Sequence, residues 1–143
     1  MPIVQTTLAI PNVELQAVWQ AVSAFDKYPE TMESVLSVDF LERSDSTAIS
    51  SWRVSLNGSE LAWIEKDTFE PYGRIVFDSI DGDLEVFRGQ WVLSELSAGV
   101  SVTFEVEFDL GIPSLAEVLN PVGVQALEEN SRSMLLGIGR RFE

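Results

Sequence analysis

The apolar positions change period twice along the chain. From Ile3 to Ile10, Val4, Thr6, Leu8 and Ile10 alternate with Gln5, Thr7 and Ala9, which predicts a strand with two distinct faces. Pro11-Asn12 ends it, and Asn12 suits the N-cap of a helix reaching Ser23, with Val13, Ala17, Val18, Ala21 and Val22 on one side. Phe25, Tyr28 and Met32 predict a short helical corner, broken at Tyr28-Pro29. From Ser34 the period falls to two. Six strands are expected over Val35–Arg43, Ala48–Leu56, Leu61–Glu70, Arg74–Ile80, Leu84–Leu96 and Val100–Leu110. Turn residues join them, with Asn57-Gly58 and Asp81-Gly82 the strongest hairpin signals. The period then lengthens again. Leu115, Val118, Leu119, Val122, Ala126, Leu127, Met134, Leu135 and Ile138 predict one long helix from Pro113 to Phe142, with a kink or break near Asn120 caused by Pro121.

This order predicts an α+β domain: a seven-stranded, mostly antiparallel curved sheet wrapped around a long C-terminal helix. With 143 residues and no linker or repeat, residues 1–143 read as one domain. Composition narrows the chemistry. There is no cysteine and no histidine, so thiolate chemistry, imidazole bases and the usual zinc ligands are excluded. Proton transfer must run on carboxylates, Tyr, Lys, Arg, Ser/Thr or water. A net charge of −14 repels nucleic acid and anionic membranes, so neither is an expected partner. With neither a signal-like N-terminus nor a run of membrane-spanning length, a soluble cytoplasmic location is expected.

Phe25-Asp26-Lys27-Tyr28-Pro29, Trp52-Arg53-Val54, Leu61-Ala62-Trp63, Glu65-Lys66-Asp67, Gly89-Gln90-Trp91 and the tail Phe108-Asp109-Leu110-Gly111-Ile112-Pro113 occur in an order that resembles the START-like SRPBCC superfamily, in particular its polyketide aromatase/cyclase branch. That resemblance implies a helix-grip fold with an apolar chamber between sheet and helix. It also implies an activity: binding a poly-β-keto chain and directing intramolecular aldol cyclisation and dehydration. The alternative it implies is non-catalytic carriage of a hydrophobic molecule such as a lipid or quinone. An acyl carrier protein is the implied macromolecular partner, and no metal or organic cofactor is implied. Carrier proteins are acidic, so docking on this acidic chain would need a local cluster among Lys27, Arg43, Arg88, Arg140 and Arg141.

By the same resemblance, Arg53 would project into the chamber and hold a developing oxyanion, a role suited to a fixed fork of donors. Tyr28 would hydrogen-bond the substrate or relay a proton. Some cyclases carry a second cavity arginine where this chain has Asp67. Alternation alone sets Ser51, Arg53 and Ser55 against Trp52, Val54 and Leu56 without saying which side is inward. Glu65 and Asp67 share a strand face with Trp63 and Phe69; beside aromatics in a closed chamber a carboxyl has a raised pKa and serves as general base. Solvation is the competing expectation, stronger for Asp67. The candidate catalytic set is thus Arg53, Tyr28 and Glu65. Trp63, Phe87, Trp91 and Phe104 can stack on a flat ligand or simply form core. With Asp67, Asn130 and Met134 they make up the candidate substrate-binding set, while Trp19 and Phe40 are assigned to packing.

Overall fold

The computed structural model describes residues 3–56, 59–109 and 116–143. Strand β1 (Ile3–Pro11) leads to helix α1 (Leu15–Ser23) and a 3-10 corner at Phe25–Glu30. Strands β2 (Val35–Arg43), β3 (Thr47–Leu56), β4 (Ser59–Glu70), β5 (Arg74–Gly82), β6 (Val86–Leu96) and β7 (Gly99–Asp109) follow, then helix α2 (Ala116–Arg140). The sheet order is β1-β7-β6-β5-β4-β3-β2, antiparallel throughout. Strands β2 to β7 are thus a meander, and β1 closes onto the last of them. The curved sheet grips α2 in the arrangement expected from the sequence.

The cleanest alternation behaves as its pattern demands. Val100, Val102, Phe104, Val106 and Phe108 are all buried, while Ser101, Thr103, Glu105, Glu107 and Asp109 lie partly open to solvent. Buried Trp91 and Leu93 of β6, Ile75 and Phe77 of β5, and Trp52 and Val54 of β3 continue the same inner layer. Leu127, Met134, Leu135 and Ile138 of α2 close it from the other side. Small residues let α2 come close: a side chain at Gly137 would meet Met32 and Thr31 of the corner, and one at Gly139 would meet Leu8 of β1.

Three local expectations are corrected. Asn12 is not the cap of α1; it takes a left-handed conformation (φ 59°), donates its backbone N–H to Ala98 O at 2.8 Å, and leaves the N-cap to Glu14. Asp81-Gly82 is not the turn, because β5 continues through Gly82, which pairs with Trp63. Helix α2 is continuous through Pro121 to Arg140, so of the expected kink or break near Asn120 the break does not occur. Its expected start at Pro113 and the Asn57-Gly58 turn lie outside the described residues. Among those residues, no helix is long and apolar enough to cross a membrane.

Candidate functional site

Between the inner face of the sheet and α2 lies a cavity of about 20 Å³, enough for roughly one water molecule. Trp52, Val54, Trp63, Glu65, Phe77, Phe87, Trp91 and Phe104 line it from the strands, and Leu127, Asn130 and Met134 from the helix. Its smallness is an aromatic effect. Trp52 and Trp63 stack at 5.8 Å, Trp63 meets Phe87 at 4.7 Å, and Trp91 meets Phe104 at 4.5 Å, so the rings fill most of the space that sheet curvature leaves. Any ligand larger than water must move these side chains or α2 apart.

Set into this aromatic wall is a pair of carboxyls. Glu65 and Asp67 alternate inward from β4 and are only 3% and 0% exposed. Trp63 Nε1 donates to Glu65 Oε1 at 2.7 Å. On the neighbouring strand Trp52 Nε1 donates to Ser50 Oγ at 2.8 Å, and Ser50 Oγ donates onward to Asp67 Oδ2 at 2.6 Å. Asp67 Oδ1 receives no N–H or hydroxyl donor. Glu65 stands two residues away on the same buried strand face, where a proton on one carboxyl relieves the charge of the other. Burial holds Glu65 well above the ordinary carboxylate range, and the hydrogen bond to Asp67 and its charge add to the rise. Burial also raises Asp67, opposed by the hydrogen bonds from Glu65 and Ser50. The arrangement therefore keeps a proton on Glu65 and leaves the charge nearer Asp67. The β4–β5 register slips here through β5: Ile64 pairs with Asp81 and Glu65 with Ser79, so Ile80 is the extra residue, and regular alternation along β4 itself turns Trp63, Glu65 and Asp67 inward.

Across the chamber, Asn130 Oδ1 is buried without a hydrogen-bond partner and faces the same cavity. A buried carbonyl of this kind wants a donor from a water or a ligand.

Two of the three expected catalytic residues are elsewhere. Arg53 is corrected: Trp52 and Val54 take the inner face of β3, so alternation turns Arg53 outward, where it is 54% exposed and pairs with Glu60 at 2.8 Å. It cannot hold an oxyanion in the chamber. Tyr28 is corrected as well. It is fully buried, but its hydroxyl donates to Val22 O and its ring packs edge-on against Trp52 and Trp91, so it supports the chamber wall from behind. Burial, then the charge of Glu65, pushes its pKa well above the usual tyrosine value, partly countered by Arg141. Asp67 is inside, against the stronger expectation of solvation, but stands behind Glu65 rather than on the cavity surface. Trp63, Phe87, Trp91, Phe104, Asn130 and Met134 do line the cavity, with Glu65. Trp52, Phe77 and Ser50 were missed. Their inward alternation was visible, yet without knowing which face of β3 pointed inward nothing marked Ser50 as part of a carboxyl network.

Of the cations weighed for docking an acidic partner, Arg140 and Arg141 reach the segment around the 3-10 corner through its backbone, Arg141 Nη2 donating to Lys27 O and Arg140 Nη1 to Thr31 O, each at 3.0 Å, while the Lys27 ammonium faces Glu30 at 4.0 Å. Arg43 instead lies over Phe40, and Arg88 pairs with Glu107.

A family model described as "Polyketide cyclase / dehydrase and lipid transport" matches residues 11–135. No match was found among curated proteins. Solved structures share the fold across almost the whole chain. TTHA0849 from Thermus thermophilus superimposes with a TM-score of 0.91 at 23% identity, covering 98% of this chain and 96% of its own. The di-domain ARO/CYC BexL from the BE-7585A biosynthetic pathway gives 0.82 at 21%, covering 97% of this chain and 49% of BexL. The Zhui aromatase/cyclase from Streptomyces sp. R1128 gives 0.79 at 16%, covering 98% and 92%. At such identities the likeness shows the fold alone.

Proposed function

Because the chain belongs to the polyketide cyclase / dehydrase and lipid transport family, we propose that its chamber binds a poly-β-keto chain and directs intramolecular aldol closure and dehydration, with Glu65 as the proton-transfer group. The observation that carries this reading is the buried Glu65–Asp67 pair opening onto aromatic walls. Burying two carboxyls is costly, and a simple hydrophobe needs neither. A carboxylic acid kept neutral by burial is a proton donor at neutral pH, which is what carbonyl chemistry requires.

In the closure step an enol carbon of the chain attacks a ketone carbon. The new C–C bond forms as the carbonyl π pair moves onto oxygen, and Glu65 delivers its proton there. The enol O–H proton then returns to the carboxylate as that end of the chain reverts to ketone. In dehydration Glu65, again the neutral acid, gives its proton to the departing hydroxyl, which leaves as water as the carbinol C–O bond breaks. The resulting carboxylate takes the proton lost from the carbon between the carbinol and the neighbouring carbonyl as the C=C bond forms, which restores the acid. The aromatic walls contribute shape and proximity, which hold the two reacting carbons within bonding reach. Arg53 and Tyr28 take no part. Arg140 and Arg141, at the end of α2 beside the 3-10 corner, are the local positive charges with which an acyl carrier protein would dock.

A second reading, carriage of a hydrophobic molecule such as a lipid or quinone without chemistry, draws on the apolar lining and on the outward turn of Arg53. One paired product assay separates the two. The protein and its Glu65→Gln variant are each added to a minimal polyketide synthase that releases an unreduced poly-β-keto intermediate. Wild type is expected to shift the products towards one ring closure, and the variant, folded by circular dichroism, to lose at least tenfold of that shift, within the usual contribution of a general acid or base. An equal shift from both proteins removes Glu65 from the chemistry. No shift from either overturns the cyclase reading for that substrate class, and native mass spectrometry for a co-purifying hydrophobe then tests carriage.

A further inference from the structure

We propose that the chamber selects uncharged, oxygen-bearing flat ligands and rejects anionic ones, with the Glu65–Asp67 pair as the charge filter and Asn130 as a polar contact to the ligand; this rests on the reading of the chamber as a ligand site. The cations of the chain all lie outside the chamber. All nine basic residues of the chain lie among the described residues. None lines the chamber: eight are exposed, and Arg141 is half-buried with a guanidinium nitrogen on the backbone oxygen of Lys27. A carboxylate or phosphate brought inside would thus meet no positive partner. It would instead meet Glu65 on the wall with Asp67 buried behind it, while Tyr28, behind the wall, keeps its hydroxyl on Val22 O and offers the ligand no donor. An anion taken from water into such a site is uncompensated.

A neutral ligand meets a different site. Once the rings or α2 give way to admit it, its faces lie against Trp52, Trp63 and Phe104, where flat unsaturated surface is favoured over branched alkyl chains. A hydroxyl or enol on it satisfies Asn130 Oδ1, which otherwise stays buried and unpaired. A carbonyl oxygen can take the proton that Glu65 holds. Free fatty acids and phosphorylated lipids fall on the rejected side; neutral hydroxy-ketones, phenols and enolised β-diketones fall on the accepted side.

The test is equilibrium dialysis of the full chain at neutral pH with four naphthalene probes of similar size: the hydrocarbon, its 2-acetyl ketone, its 2-hydroxyl and its 2-carboxylate. Ketone and hydroxyl are expected to bind at least tenfold more tightly than the carboxylate. Asp67→Asn, which takes the charge out of the pair, is expected to narrow that ratio severalfold. Asn130→Ala is expected to weaken the hydroxyl severalfold and leave the hydrocarbon unchanged. Carboxylate binding as tight as the ketone overturns the charge filter, and so does an unchanged ratio in Asp67→Asn. Equal loss of all four probes in Asn130→Ala marks Asn130 as structural and overturns its role as a contact. Absence of binding by every probe overturns the proposal. None of these outcomes decides the product assay, so charge selection and ring closure can fail separately.

Discussion

At the scale of single residues, the decisive pair is Glu65 and Asp67. Their separation of two along β4 puts both on one face, and burial then forces them to share a proton because two adjacent desolvated charges are too costly. The two are inequivalent. Each accepts one neutral donor, Ser50 to Asp67 and the indole of Trp63 to Glu65, but burial weighs more heavily on Glu65, so the negative charge is better held at Asp67 and the proton at Glu65. Asp67→Asn removes the charge that helps raise Glu65 and leaves only a neutral amide oxygen as acceptor, so the Glu65 titration is expected to move to lower pH while remaining above the ordinary 4.5 because burial persists. A carboxyl-carbon NMR titration with labelled glutamate reads this directly. A Glu65 midpoint that stays put or rises would show that Asp67 does not tune it. Part of this was legible beforehand: the Glu-Lys-Asp spacing beside Trp63 and Phe69 placed both acids on one face. What hid the network was Ser50, a residue whose type is at home on any solvated strand. Arg53 misled for the complementary reason: alternation had already paired it with Ser51 and Ser55 against Trp52 and Val54, and only the family resemblance turned that polar face inward.

At the scale of elements, strand limits were legible to within one or two residues because the two-residue period is broken so clearly at each turn. Asp81-Gly82 is the instructive exception. A dipeptide that favours a tight turn here extends β5 past a bulge, because Gly82 is the residue that lets β5 pass behind Trp63. Its φ of +146° is outside the range comfortable for a side chain, and a Cβ there would overlap Trp63 Cβ. Gly82→Ala should therefore destabilise by about 1–3 kcal/mol and push Trp63, with the Glu65 it binds, out of place. Urea unfolding followed by tryptophan fluorescence measures the first, and the Glu65 titration reports the second. An alanine tolerated without loss of stability would mean that the bulge, rather than the glycine, accommodates the close approach. Helix α2 shows the same dependence on context. Pro121 predicts a break in isolation, yet helical conformation continues through it.

At the scale of the whole molecule, the chamber makes folding sensitive to pH in a direction opposite to that of a salt-bridged protein. Glu65 titrates near 4.5 in the unfolded chain and well above that in the folded one, so between those two points the folded state binds the extra proton. Stability from this group is present in full below the unfolded value and is lost as pH rises through the folded value. Asp67, raised from 3.8, acts in the same sense. The net charge of −14 works alongside them, since lowering the pH relieves repulsion across an acidic surface. Thermal unfolding followed by circular dichroism is thus expected to give a melting temperature that falls between about pH 5 and pH 8. Salt separates the two causes, because screening weakens surface repulsion but leaves the buried pair nearly untouched. The Glu65→Gln variant, which cannot ionise, should lose much of the slope that survives at high salt. If wild type and variant keep parallel slopes at high salt, the carboxyl pair is charged in both the folded and unfolded states, and the neutral acid on which ring closure and ligand choice both depend is not there.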